Sequence, residues 1–555
     1  MRIHILISLL LILFIPSFSH GKDLHEEQLD KGIRNSESYS SLLINASKTD
    51  VDNRLSLLRD AQKYAPDFPA PYFELAKHAF DLTPHGIFEA VDYIFQGISA
   101  YKRNFWWSMM LLSSVLISAI LSFFVAVLIL IIIRSPQDLP LLFHDIREDR
   151  RKIILLFLLG SALLGPISLL GSVLLIISFY QKKWDRLILA CYIALLLVSP
   201  WVFKTASTLI HAPFSGTLKA VVQINESKDR TYPGSLFAGT QNPVEMFSYA
   251  LAMKRGGSYD AAIAMNTKLI GIKPDARAYV NLANAYVAVN NLGSAKDLYN
   301  KSLEIAKLPS AFYNLSQVYR ETLDFDKGKE FFLMAQNLDQ DAVSQYRAIF
   351  SRHLNRFVID ETLPLRDIYG YAQTKTGGTF TGGMTYIPFF MMPPIGILLV
   401  LLYSILNRRF KTWSYRCSRC GRILCTRCEK HILWGRMCRP CYGSLIKLDK
   451  LDAKERISRI LAVYEYQTKR KGMIKALSFI FPGWGLIYGG NILYGFLFLW
   501  AFLFPVFILI LNSFFAIGMR HFSHGWLNLC SIVLLTAVYF LSIAATRRRI
   551  VKGWL

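Results

Sequence analysis

Beyond the N-terminal segment, six long runs of this chain contain no Asp, Glu, Lys or Arg. They cover 104–133, 153–181, 187–203, 376–407, 476–519 and 522–546. A helix needs about 20 apolar residues to cross the hydrocarbon of a bilayer, and in lipid only helices and closed barrels satisfy their own backbone. The expected fold class is therefore mainly α, a multi-pass helical membrane protein. The 53% hydrophobic and 14% aromatic composition agrees, being too apolar for an ordinary soluble chain.

The start, MRIHILISLLLILFIPSFS, carries one early Arg, an apolar run from Ile5 to Ile15, and small Ser17 and Ser19. It reads as a bacterial secretory signal peptide over 1–19, with an uncleaved anchor as the alternative. An exported helical domain then covers 22–104. Transmembrane helices are expected over 105–133, 187–206 and 386–406, with a further membrane domain over 476–546.

Two runs are broken by helix-weakening residues. The run 153–181 has basic residues at both ends and Gly160, Gly165, Pro166 and Gly171 at its centre. It is too short for two full crossings, so a re-entrant hairpin is expected there, with a transmembrane hairpin as the alternative. FIFPGWGLIYGGNILYG puts Pro482, Gly483, Gly485, Gly489, Gly490 and Gly495 at the start of 476–546. That pattern predicts an interfacial turn and then two helices, the first from about Leu493.

The formal net charge of +24 is concentrated. From Asn407 to Lys475 there are 19 Lys and Arg against 5 Asp and Glu, a local excess of 19 − 5 = +14. Positive charge beside membrane spans is first a topology signal. It places 412–446, the basic helical linker 447–475 and the basic tail 547–555 in the cytosol, and 207–385 outside, in the periplasm across a bacterial inner membrane. Reading 153–181 as one full span reverses both placements. Binding to anionic membrane lipid or nucleic acid is the subsidiary reading of the charge, nucleic acid the less favoured.

Within 207–385 the chain repeats itself. ARAYVNLANAYVAVNNLGSAKDLYNKSLEIAKL is followed by SAFYNLSQVYRETLDFDKGKEFFLMAQNLDQD. Leu282 and Leu315, Tyr286 and Tyr319, Tyr299 and Phe332, and Ser302 and Ala335 each stand 33 residues apart. This resembles the tetratricopeptide repeat, whose helix pairs stack into an α-solenoid. An earlier copy starts near Asn242, and PAPYFELAKHAF suggests a degenerate copy in 22–104. The resemblance implies protein binding in the solenoid groove; the aromatic stripes themselves are read as core.

Six of the eight cysteines fall between Cys417 and Cys441 as three C-x2-C pairs, and Cys191 and Cys530 lie alone in apolar runs. Each pair directs two thiolates of one tight turn at a single Zn²⁺. Cys417, Cys420, Cys425, Cys428, Cys438 and Cys441 are thus the expected metal ligands. The pattern C-x2-C-G-x3-C-x2-C followed by C-R-P-C-Y resembles the C-terminal half of the FYVE fingers, a treble-clef family with two interleaved zinc sites. The resemblance implies one Cys₄ site from Cys417, Cys420, Cys438 and Cys441. It leaves Cys425 and Cys428 either sharing a second ion with His431 and an unidentified ligand, or unpaired. The basic His-containing run used by that family for phosphoinositides is absent.

No H-E-x-x-H, nucleotide-binding glycine loop or G-x-S-x-G is present. His521 and His524 read as interfacial rather than as ligands. The spans lack internal charge, which argues against a pump. The combination resembles bacterial membrane-anchored tetratricopeptide-repeat proteins and points to a non-enzymatic scaffold or adaptor with a structural zinc module. The alternatives are a transport or enzyme component acting through the broken membrane segments, and a membrane-tethered binder of nucleic acid or anionic lipid.

Overall fold

The computed structural model describes residues 24–30, 33–145, 148–228, 237, 239–352, 358–376, 389–409, 414–425, 437–447, 453–516 and 525–552. The expected signal peptide, Cys428, His431, His521 and His524 lie outside them. Two compact units result, one of residues 1–109 with 212–375 and one of 110–211 with 376–555.

The first unit is built from short antiparallel helix pairs. Pro243–Arg255 pairs with Tyr259–Ile272, Ala276–Ala288 with Leu292–Ile305, and Pro309–Glu321 with Phe325–Leu338. Their first helices start 33 residues apart (243, 276, 309), so the copy suspected near Asn242 is a full helix pair. Local signals set the boundaries. Asn242, Asp275, Asn291 and Asp324 each accept a backbone N–H of the first turn. Small residues let the helices close on one another, with Ala283, Ala295 and Ala311 fully buried around Tyr299, Leu315 and Val318. Tyr299 is wholly enclosed, whereas its repeat partner Phe332 is only partly buried near the edge of the array. Further helices precede these, among them Glu37–Thr49 with Arg54–Tyr64 and Ala70–Ala79 with Pro84–Tyr101.

Among the described residues three helices are long and apolar enough to cross a membrane, within Phe105–Asp145, Ile492–Asn512 and Trp526–Val551. The first does not stop at Ile133. It continues through Pro136 and Pro140 to Asp145, 41 residues in all, because Arg134 finds Asp138 one turn on, Nε to Oδ2 at 2.9 Å. One helix was expected over 187–206, but two occur there, Leu187–Leu197 and Ser199–His211, bent by 66°. Pro200 explains the break: it lacks the N–H that would reach Leu196, and Ser199 Oγ donates to that carbonyl instead at 2.7 Å.

In 153–181, Glu148–Leu163 and Pro166–Ser178 meet at Gly165, whose φ is +110°. Beyond them, Met392–Arg409 packs against Pro166–Ser178 and Leu187–Leu197. The core joins Phe123, Val127 and Leu130 to Leu174, Tyr192, Leu399, Phe496 and Leu499.

The glycine-rich stretch proves to be a packing device. Ala453–Ile480 turns at Phe481–Gly483 into the short helix Trp484–Tyr488 and then into Ile492–Ala516. Gly483 has φ +83°, and a Cβ there would meet the Gly495 carbonyl oxygen at 2.0 Å. Only two glycines allow this approach of backbone to backbone.

Candidate functional site: metal centre and repeat groove

The metal-binding residues come from two turns. Strand β1 (Tyr415–Arg416) pairs antiparallel with β2 (Ile423–Leu424), and the loop between them is the first C-x2-C knuckle. Cys417 N–H donates to the Arg422 carbonyl at 2.8 Å, and Gly421 N–H to the Cys417 carbonyl at 3.0 Å. Gly421 takes φ +75°, and a Cβ on it would strike Tyr466 of the following helix at 2.6 Å. The second turn is the start of the short helix Arg439–Tyr442, with Cys438 at its N-cap and Cys441 in its first turn.

These turns bring Cys417, Cys420, Cys438 and Cys441 together, all four sulfurs within 4.8 Å of one another. Cys420 Sγ lies 3.7 Å from Cys438 Sγ. A tetrahedral ion with Zn–S bonds of about 2.3 Å sets its sulfurs about 3.8 Å apart, so the spacing fits. Burial opposes ionisation of Cys417, but backbone N–H groups of Cys420, Cys438 and Arg419 outweigh it and bring the thiol down to about 7. Burial pushes Cys438 up to about 11 and raises Cys441 as well. Cys417 is therefore the thiol most easily ionised near neutral pH, and a cation must displace protons from Cys438 and Cys441. Cys425 is buried but does not join this group.

Neighbouring helices brace the module. Gln467 Nε2 donates to the Ser418 and Arg419 carbonyls, both at 3.0 Å, and Arg416 Nη2 donates to the Gln137 carbonyl at 2.9 Å. The basic linker and the end of the long helix thus both hold the first knuckle.

In the repeat unit, buried asparagines of successive helix pairs hold a segment of the same chain. Asn314 accepts the Ile359 N–H at 2.7 Å and donates to the Ile359 carbonyl at 2.8 Å. Asn281 treats Glu361 the same way, at 2.9 Å in both directions. Asn284 donates to the Ile359 carbonyl at 2.8 Å and to Asp360 Oδ1 at 2.9 Å, and Asn225 Oδ1 accepts the Leu363 N–H at 2.8 Å. Asn281, Asn284 and Asn314 are all buried. An irregular segment from Val358 to Leu363 is thus held through its main chain, one residue per clamp and the clamped residues two apart, as in a pleated peptide.

The Asp360 carboxylate of the segment is also met. Burial works against the Asp360 carboxylate, but Lys254 and Arg255 prevail and hold it down to about 2. Beside the segment lies a cleft of about 1550 Å³ whose walls include Arg59, Lys63, Lys102 and Tyr346.

A family model described as a tetratricopeptide repeat matches residues 276–307, the middle helix pair. No curated protein matches the chain.

Proposed function

We propose that the chain is a membrane-anchored scaffold whose repeat groove binds extended, acidic peptide segments of protein partners, while a structural zinc ion organises the cysteine module. The observation that carries the reading is the pair of Asn281 and Asn314 clamps, which recognise any main chain that presents N–H and C=O two residues apart. Side-chain choice comes from Lys254 and Arg255, which favour a carboxylate at the position of Asp360. In the intact chain Val358–Leu363 is the occupant, so a partner presents a similar segment or docks beside it.

Several further features belong to the same reading: zinc as the ion held by Cys417, Cys420, Cys438 and Cys441, a treble-clef fold for 412–446, a bacterial inner membrane as the location, and the repeats outside with the module in the cytosol. The charge distribution supports this topology. Fusions of alkaline phosphatase at Gly257 and of a fluorescent reporter after Val551 should both be active; the reverse pattern would invert the placement.

The groove is tested by vacating it. In the full chain, Ile359→Pro with Glu361→Pro removes both N–H groups that the clamps accept. A labelled peptide VIDETLPL added in trans should then bind, and binding should disappear when Asn281→Ala and Asn314→Ala are added. Failure of the peptide to bind the vacated chain, with the repeats still folded by circular dichroism, would contradict a peptide-reading groove.

A further inference from the structure

Cys425 has neighbours far away in sequence. A ring nitrogen of His144, a carboxylate oxygen of Asp145 and Sγ of Cys425 lie within 4.8 Å of one another. Cys425 is buried, Asp145 half-buried and His144 exposed. None of the three belongs to the four-cysteine cluster. We propose that His144, Asp145 and Cys425 form a second zinc site, which fastens the cysteine module to the end of the long helix.

The donor set favours that ion. One imidazole, one carboxylate and one thiolate are each ordinary zinc ligands, and a thiolate disfavours the hard cations Mg²⁺ and Ca²⁺. The charges balance, since the Cys425 thiol releases its proton to solvent on binding, leaving a thiolate and a carboxylate against a dication. The outer contacts are those that orient ligating groups. His144 Nδ1 shares a hydrogen bond with Ser414 Oγ at 3.1 Å. Asp145 Oδ2 accepts the Ser414 backbone N–H at 2.9 Å and the Tyr180 hydroxyl at 3.1 Å, and Oδ1 accepts the Ser414 hydroxyl. A carboxylate offers about four lone-pair directions, so three hydrogen bonds leave one for a cation.

The competing account is that Asp145 only anchors Ser414 at the entry to β1. Zinc counted per chain on the full-length protein in detergent separates the two. The site predicts two ions per chain, falling to one in His144→Ala and in Asp145→Asn. In both variants the cobalt-substituted protein should keep the tetrathiolate spectrum of the four-cysteine cluster, which also reports that the module remains folded. One ion in the unaltered chain overturns the second site, as does a count of two in both variants. Should His144→Ala also lose the tetrathiolate spectrum, Cys425→Ser decides. It removes a thiolate–cobalt band of the mixed site and leaves the tetrathiolate bands if the site exists, and changes neither if it does not.

Discussion

The repeat unit and the cysteine module each hold a piece of chain in a fixed place, but by opposite means. The repeats bury Tyr299, Leu315, Val318 and a layer of alanines, so their helices close without help. Among its described residues the module's apolar cluster is little more than Tyr415, Leu424, Met437 and cysteines, and its two strands have two residues each. So small an apolar core cannot offset the entropy of ordering its loops. The braces from Gln467 and Arg416 supply part of what is missing, and four sulfurs placed as a metal ion would need them offer a means of supplying the rest. The difference separates a solenoid closed by its own burial from a module with little burial and a clustered set of metal-ligating side chains.

The sharpest way to break that contrast is to remove the metal. Chelation, Cys417→Ser or Cys438→Ser should unfold 414–447, because structural zinc contributes on the order of 10 kcal/mol in small fingers. Cys425→Ser should be milder, since that thiol lies outside the four-cysteine cluster. Metal analysis with limited proteolysis checks both. The repeats should respond instead to lost volume. Tyr299→Ala leaves a cavity at a fully enclosed site and should cost about 3–5 kcal/mol in chemical denaturation.

Acid provides a third separation. The Asp360 carboxyl sits at about 2 in the fold against an ordinary 3.8. A depressed value contributes stability that is present above pH 4 and lost as pH falls from about 4 to about 2, here about 2 kcal/mol. Asp360→Asn should flatten that part of the stability profile. The smallest effect expected is Phe332→Ala, about 1 kcal/mol, because its ring is only partly buried.

These regions also differ in how much of them the sequence displays. The solenoid is visible in its 33-residue period, and the clamps were carried by the same signal: Asn281 and Asn314 stand one repeat apart, like Leu282 and Leu315. They went unidentified because nothing local says that a polar residue on a helix faces a peptide rather than water. The four-cysteine grouping was implied by a family pattern, and the sulfurs do converge. His144 and Asp145 gave no sign, since they reach Cys425 across 425 − 144 = 281 residues and only the fold brings them together. The bend at Pro200 was readable in hindsight, but a purely apolar run gives no warning of where a helix will break. The glycines at 483 and 495 are legible as a turn, but the close backbone approach that requires them is visible only in the fold.

The most direct test of the central contrast is amide hydrogen exchange on the full-length protein, with and without a zinc chelator. The account predicts that peptides spanning 414–425 and 437–447 lose protection on chelation. Peptides spanning 276–338 and 358–363 should keep theirs, because burial and the asparagine clamps hold them. Unchanged protection of the cysteine module after complete metal removal, or equal loss in the repeats, would contradict it.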